Sequence, residues 1–509
     1  MVCDWLRFLR VTTIAQPLIA MAIALAGLPA TGWAQGIDAN DPPFQLLRGS
    51  SGPLVLAPPS SEQIAPFLDP SPMLMNNRDL GSGPLQASSF TNTRRPTTLT
   101  NPTVHERVYA DLSASAGGAT PTPRRRRPQA IDPYEQLGLM LGGLKLLPAI
   151  EADVGYDSNP RRIANGGKGS TMLRTMAELK LESDWLRHSL TGTLRGSYDA
   201  FPGMTDVNRP AGAGRVNLRI DVLRGTQIES EGRYSVTTQQ PGNPNLPNGV
   251  INQPITTSFG GTLGLVHTFN RLTVGLYGDV DRSTYGNAKL ADGTSLSQDD
   301  RNYTQYAMRL RAGYELSAFL TPFVEGRLDK RRYDEHFDSS GYARNSNGIG
   351  VRVGTAVNIS GSLTGEVAAG LEHRVYDDPR LADLNGPIGE ASLVWTATPL
   401  TKLRLRASST IGETSVVGSS GVIVTQAGAE VEHALRRNLT VTGALAFSNN
   451  NYQDVYLREH GMTGSVRLDW KMTRTLAFRA SFTHERLNST SASSDYTANI
   501  FLVGLRLQR

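Results

Sequence analysis

Cysteine is nearly absent from this sequence of 509 residues, in which Cys3 is the single example. One cysteine cannot form an internal disulfide, and a thiolate metal centre needs several cysteines. Cys3 also precedes the first apolar stretch and lacks the small neighbours of a lipoprotein cleavage site. The sequence therefore excludes a disulfide framework and a Cys-based metal site, and we predict no lipid anchor.

Long hydrophobic runs are missing after the first thirty-odd residues. The mean hydropathy is −0.28, and no later stretch has the ~20 apolar residues that a membrane-spanning helix needs. This excludes a polytopic helical membrane protein. It leaves a transmembrane β-barrel open, because lipid-facing and lumen-facing residues alternate there and the average looks soluble.

A large excess of charge of one sign is missing as well. The formal net charge is +5, and residues 124–127 are four arginines that supply most of it. Because the remaining charges balance, the sequence pI of 9.2 is weak support for nucleic-acid binding, and we predict no such partner. The four arginines could contact anionic lipid, lipopolysaccharide or a barrel mouth, or they could simply be solvated.

Two segments precede the part of the chain with regular patterning. Residues 1–34 have a basic start, an apolar stretch over 18–28 and small residues at Gly32 and Ala34, which predicts a signal peptide that is cleaved after Ala34. Residues 35–133 are rich in Pro, Ser and Thr without any period, which predicts a disordered periplasmic segment. Residues 134–147 could form a short helix or a strand leading into the next domain.

From Leu147 to the end of the chain, apolar residues occupy alternate positions. In the first segment, Ile150, Ala152 and Val154 alternate with Glu151 and Asp153. Strand side chains alternate between two faces, so each segment predicts a strand with one apolar face. Eighteen such segments follow one another without a helical stretch between them. This series predicts an all-β fold over residues 134–509, an antiparallel transmembrane β-barrel of about 18 strands (16–18).

The connections between these segments also favour a barrel. Short turns alternate with long polar loops, as in outer-membrane barrels, where the short turns are periplasmic. Aromatic residues on the apolar face lie next to both kinds of connection, which is typical of two interfacial girdles. Tandem sandwiches would have turns of similar length at both ends, and a solenoid would have a fixed short repeat. We therefore predict the cell outer membrane as the location, with both barrel termini periplasmic.

The polar face of the predicted strands carries charges of both signs. A charged side chain facing lipid near the midplane would cost ~2–4 kcal/mol, so the charged face must be the lumen. Few aromatic residues are expected on this face, Tyr277 being one. The predicted pore-lining residues are Arg195, Arg219, Arg233, Arg309, Arg311, Arg327, Arg352, Arg404, Arg406, Glu178, Glu229, Glu325, Glu366, Glu430 and Asp469.

A polar lumen favours a porin-like passive channel for small polar solutes or ions. Two alternatives stay open: an export conduit for polysaccharide or peptide, and a structural or surface-binding barrel with a closed lumen. The histidines lie singly on different strands, and no nucleophile motif or metal-spaced pair accompanies them, so we predict no enzyme, cofactor or metal site. The expected partners are outer-membrane lipid, lipopolysaccharide, the barrel-assembly machinery and small polar solutes.

One motif resembles a known family. Residues 151–160, EADVGYDSNP, are similar to the first-strand signature of the putative β-barrel porins, which are exported proteins of Gram-negative bacteria. The resemblance implies an outer-membrane barrel and supplies no catalytic residues. The chain departs from the usual barrel pattern at its end, because Arg509 stands where the assembly machinery commonly reads an aromatic residue.

Overall fold

The computed structural model describes residues 133–509, except residues 165–166, 241, 247–248, 360 and 492–493. The predicted signal peptide and all but the last residue of the predicted disordered segment lie outside the described residues. The described part consists almost entirely of strands, with two short 3₁₀ helices at Thr205–Val207 and Asp299–Arg301. Within these ranges, no helix is both long and apolar enough to span a membrane.

Eighteen long strands, β1 to β18, make up the sheet. Their apolar and β-branched residues recur at alternate positions, which suits a pleated surface with one apolar face. In chain order the strands are Leu144–Asp157, Ser170–Ser183, Ser189–Ala200, Arg209–Leu223, Thr226–Thr238, Ile255–Phe269, Leu272–Tyr285, Tyr303–Tyr314, Leu320–Tyr333, Ser346–Ile359, Leu363–Tyr376, Leu384–Thr398, Thr401–Gly412, Val422–Arg436, Leu439–Tyr452, Leu457–Lys471, Leu476–Ser489 and Tyr496–Gln508.

Each strand pairs antiparallel with the next, and the sheet closes on itself. The closing seam joins β1 to β18, from Ala149 opposite Gln508 to Asp157 opposite Ile500. Closure leaves no sheet edge unpaired, which a barrel in lipid requires because hydrocarbon offers no hydrogen bonds to free backbone groups. The predicted closed antiparallel barrel of about 18 strands is confirmed.

The segment ahead of β1 is a strand and not a helix. Leu139–Leu141 pairs with the first residues of β1, and Gly142 has a φ of +60° in the turn between them. Glycine adopts this left-handed conformation without steric cost, which explains its place in the turn. One further short hairpin, Ala288–Lys289 with Ser295–Leu296, lies in the loop between β7 and β8.

The two faces of the barrel differ as the alternation predicts. Apolar side chains such as Ile150, Val154 and Leu263 are exposed on the outer wall, while the charged side chains on the opposite face are buried. The exposed aromatic residues form two groups at opposite ends of the strands. Tyr156, Tyr198, Tyr234 and Phe447 lie near the long loops, and Trp185, Phe269, Tyr314, Trp395 and Trp470 lie near the short turns.

Connections at the two ends of the barrel differ in length. At one end, which we call the short-turn end, eight connections have two to five residues. At the other end, which we call the long-loop end, nine connections have four to seventeen residues. The longest loops are residues 239–254, between β5 and β6, and residues 286–302, between β7 and β8. Because the strand number is even, β1 begins and β18 ends at the short-turn end.

Glycine at the closing seam permits a close approach of two strands. A Cβ atom on Gly155 in β1 would lie 1.7 Å from the carbonyl oxygen of Phe501 in β18, and one on Gly504 would lie 1.9 Å from Oδ1 of Asp153. Real Cβ atoms do not approach other atoms this closely, so any larger residue would force the backbone apart.

We therefore predict that Gly155→Val destabilises the closed barrel by about 1–3 kcal/mol. The measurement is the urea concentration at which the folded form disappears from semi-native gels. Gly326→Val in β9 is the matched control, because a Cβ at Gly326 meets no atom within 4 Å. Equal midpoints for the two variants would contradict the account of the seam.

Candidate functional site

The barrel interior is the candidate site, and all fifteen predicted pore-lining residues lie on its inward face. Eleven of them are buried, and Arg219, Arg233, Arg404 and Arg406 are half-buried. The alternation of each strand dictates this placement. Successive side chains point to opposite faces, and the apolar residues of these strands face outward, so the charged residues between them face inward. Their pairing then decides the electrostatics of the interior.

Many of these charges pair between neighbouring strands. Arg309 of β8 contacts Asp279 of β7 through Nε at 2.8 Å. Arg195 of β3 pairs with Glu178 of β2, and Arg404 of β13 pairs with Glu430 of β14. Buried carboxylates and guanidinium groups are tolerated when each has a partner with hydrogen-bonding geometry, which these cross-strand pairs supply.

Other pairs bridge strands that are not adjacent. Arg311 of β8 reaches Glu366 of β11 at 2.6 Å, passing over β9 and β10. Arg352 of β10 contacts Glu325 of the adjacent β9 at 2.8 Å and also reaches over β11 to Glu390 of β12 at 3.4 Å. Such bridges are possible only across the concave inside of the sheet, so they independently identify the charged face as the interior.

A second network lies beside the closing seam. Arg479 of β17 contacts Asp469 of β16 at 2.8 Å and also pairs with Glu151 of β1. Arg506 of β18 contacts Glu178 of β2 at 2.9 Å. These pairs link strands on both sides of the seam, so the first and last strands are joined by side chains as well as by backbone hydrogen bonds.

Of the remaining predicted residues, Arg233 of β5 pairs closely with Asp281 of β7, at 2.6 Å, and the others have weaker or different contacts. Arg327 lies 3.4 Å from Asp329 and Arg219 lies 3.4 Å from Asp221, while Glu229 accepts a hydrogen bond from Gln227 at 2.9 Å. Arg406 also lies on the inward face of β13. Positive and negative groups are therefore interleaved among these described residues of the interior.

The interior also holds tyrosines, so the prediction of few lumen aromatics is wrong. These tyrosines lie at the long-loop ends of their strands. Counting every second residue from the inward charged positions leads to them, so they also face inward. Following the alternation through to the last strand residue would have found them. They are Tyr285, Tyr303, Tyr333, Tyr376, Tyr452 and Tyr496.

The loop of residues 239–254 extends across the long-loop end. Asn245 in this loop accepts hydrogen bonds on Oδ1 from Thr414 Oγ1 at 2.7 Å and from the Ser415 backbone at 2.8 Å. The Ser494 hydroxyl donates to the Gly242 carbonyl at 3.3 Å. A loop rooted between β5 and β6 thus reaches the loops that follow β13 and β17, on the far side of the opening.

The loop of residues 413–421 folds inward from the opposite wall. Glu413 accepts hydrogen bonds from the hydroxyl groups of Tyr285 at 2.8 Å and Tyr333 at 3.4 Å. Tyr285 ends β7, which is six strands away from β13 around the barrel. Arg301 lies over the Tyr285 ring, 4.2 Å from its centroid, and 3.8 Å from Glu413. These contacts can form only across the opening of the barrel.

Arg344, from the loop between β9 and β10, also holds the loop of residues 413–421 in place. Its guanidinium group contacts Asp338 and donates to the carbonyl groups of Ser419 at 2.8 Å and Val416 at 3.1 Å. Three loops therefore interlock at the long-loop end. We call this set of contacts among residues 239–254, 334–345 and 413–421 the mouth network.

His373 and the acidic loop residue Asp378 are held by hydrogen bonds. Among the described residues, no cluster of three or more His, Cys, Asp or Glu side chains could hold a metal ion. Asp378 accepts hydrogen bonds from Arg380 at 3.0 Å and from the Ala343 backbone at 2.9 Å, and the Arg380 contact lowers the pKa of the Asp378 carboxyl. His373 shares a hydrogen bond with Asn385 at 2.8 Å, and its Nε2 lies 4.0 Å from Asp383 Oδ2.

Comparison with known proteins identifies the family. The model of the family described as "Putative beta-barrel porin 2" matches residues 132–509. The chain belongs to this family of β-barrel porins. The match covers the whole barrel, and the predicted family is confirmed. The barrel is accordingly an outer-membrane protein of porin-like fold.

Solved structures with a similar fold are distant in sequence. The ferric enterobactin receptor PfeA of Pseudomonas aeruginosa, as a double mutant, is 6% identical over 72% of this chain and 80% of its own, with a TM-score of 0.36. OccAB1 of Acinetobacter baumannii is 11% identical over 74% and 99%, with a TM-score of 0.35. The copper transporter OprC is 10% identical over 75% and 82%, with a TM-score of 0.38. No curated protein matches the chain.

The mouth network predicts a specific cross-link. Because Cys3 is the only cysteine and lies in the predicted signal peptide, the variant Asn245→Cys, Ser415→Cys would carry two thiols in the mature chain. We expect them to form a disulfide under mild oxidation, since the two residues are in direct contact. The measurement is the loss of maleimide-reactive thiol.

The control pair is Asn245→Cys with Val417→Cys, in which the second thiol lies on the same loop but at an exposed position. We expect this pair to remain largely reduced. Equal oxidation of both pairs, or none in either, would contradict the described contact between the two loops.

Proposed function

We propose that the protein is a passive channel of the outer membrane for small polar solutes or ions. The observation that carries this proposal is the interior face, which is polar and charged along the strands of a barrel whose outer wall is apolar. A packed apolar residue inside a barrel costs less free energy than a buried charge, because the charge must be desolvated and paired. Charges maintained throughout an interior are expected where water and polar solutes pass.

The interleaving of charges determines the expected selectivity. Arginines and carboxylates occupy neighbouring strands in pairs, so a permeating ion meets both signs at each level. The proposed channel therefore discriminates only weakly between small cations and anions. We further propose that the long loops face the outside and that the termini are periplasmic, which is the usual orientation of outer-membrane barrels. Insertion would use the barrel-assembly machinery.

The mouth network makes the proposed channel narrow. Three loops interlock at the long-loop end, and polar contacts hold them there. Loops have fewer buried apolar contacts than strands and open locally at a lower free-energy cost. We therefore place the restriction to passage at the mouth network, with the ion-paired interior below it.

A barrel with a closed lumen is the second candidate. Two observations favour it: most interior charges are buried, and the loops interlock. The two candidates differ in one property, since a closed structural barrel passes no solute whether or not the loops are fastened together.

The Asn245→Cys, Ser415→Cys variant tests the proposal in liposomes. We expect wild-type protein to admit a small sugar such as arabinose, as measured by the rate of osmotic swelling. The oxidised variant should swell more slowly than the wild type, and a reducing agent should restore the rate, because the disulfide prevents the loops from separating. The single variants control for the substitutions themselves.

The channel would be contradicted, and the closed barrel favoured, if liposomes with wild-type protein or with the reduced variant swelled no faster than protein-free liposomes. If the swelling rate of the variant is above background but the same in its oxidised and reduced forms, the channel is supported, but the mouth network does not restrict passage.

A further inference from the structure

A hollow lies on the outer wall of β14–β17, towards the long-loop end. Its volume is about 310 Å³. Ala427, Phe447 and Met462 provide an apolar floor, and His460 and Arg486 lie at its edge. We call this hollow the wall groove.

The sequence forms the wall groove by placing small and large residues in one row. Through the strand register, Ala427 lies opposite Phe447, Phe447 opposite Met462, and Met462 opposite Arg486. Ala427 is much smaller than Phe447 and Met462, so the wall is recessed beside the larger side chains. A recess with an apolar floor on a lipid-facing wall suits a hydrocarbon chain.

Cations lie beside this recess without described carboxylate partners. Arg458 and Arg486 are exposed on the outward face of β16 and β17. The one described polar contact of the Arg486 side chain is with Asn488 Oδ1, at 3.3 Å. Arg458 lies two residues beyond His460 on the same face, which is about 7 Å further towards the loops.

No acidic residue occupies an outward position on β14, β15, β16 or β17; the carboxylates of these strands, such as Glu430 and Glu485, point inward. Other outward arginines near the long-loop end are paired. Arg282 pairs with Asp334, and Arg332 lies 3.6 Å from Asp377. The wall groove is thus a place where outward guanidinium groups lack a described anion.

The groove lies at the boundary between hydrocarbon and lipid headgroups. Phe447 belongs to the aromatic girdle at the long-loop end, so the groove floor meets the hydrocarbon boundary. Arg486 lies opposite Met462 at this boundary, and Arg458 lies closer to the loops, at the headgroup level. Guanidinium groups bind phosphate through paired hydrogen bonds. A phosphorylated lipid would complement both parts, with a phosphate on the arginines and an acyl chain on the apolar floor.

We propose that the wall groove binds a phosphorylated lipid of the outer leaflet, of the lipid A class. Arg458 and Arg486 bind phosphate, and Ala427, Phe447 and Met462 contact one acyl chain. This inference rests on the proposed orientation, in which the long loops face the outside. It does not depend on whether the interior conducts.

Native mass spectrometry of the full-length mature protein in detergent tests the site. Diphosphoryl lipid A, monophosphoryl lipid A and phosphatidylethanolamine are added in turn, and the bound fraction is measured against lipid concentration. We expect diphosphoryl lipid A to bind most tightly. The double variant Arg458→Gln, Arg486→Gln should weaken that binding at least tenfold, whereas Lys330→Gln, an exposed outward cation on β9, should leave it unchanged.

A second variant tests the acyl-chain contact. Ala427→Trp fills the recess without changing charge and should also weaken binding, while Ala369→Trp on the outer wall of β11 should not. Equal affinity of wild type and the arginine double variant would overturn the site, as would an equal loss in Lys330→Gln. Unchanged binding in Ala427→Trp would overturn the acyl-chain contact. Folding of each variant is checked by its heat-dependent gel mobility, and solute flux is measured separately, so failure of this proposal is distinguishable from failure of the channel.

Discussion

The need to satisfy every backbone hydrogen bond inside a hydrocarbon layer determines this structure. Lipid supplies no donors or acceptors, so the sheet must close, and it does so by pairing β1 with β18. Closure divides each strand into a lipid face and an interior face, and the two-residue alternation of the sequence follows from that division. The interior charges are tolerable because they are kept from lipid and paired with each other.

The ion pairs have two consequences for the interior. Bridges such as Arg311 to Glu366 connect strands that are not neighbours, and therefore stiffen the wall against changes in its cross-section. The same pairing neutralises the interior locally, which limits the field that a passing ion meets. In the channel that we propose, the path would therefore be weakly selective, and its restriction would lie in the loops and not in the wall.

The strands and their two faces could be predicted from the sequence because both depend on local alternation. The charge positions, including Arg195, Glu325 and Asp469, followed from the cost of charge in lipid. The mouth network could not be predicted in this way. Asn245 and Ser415 are 170 residues apart and lie in loops without a period, so only the closed barrel brings them together. The inward tyrosines were missed for a different reason, since they occupy strand ends beyond the segments in which alternation was followed.

The central claim is that the interior conducts, and recording of wild-type protein in a planar lipid bilayer tests it most directly. The account predicts discrete conductance steps above background and a reversal potential close to zero in a potassium chloride gradient, because positive and negative groups are interleaved along the interior. An absence of steps at protein amounts for which insertion is verified would contradict the account, and the barrel would then have a closed lumen.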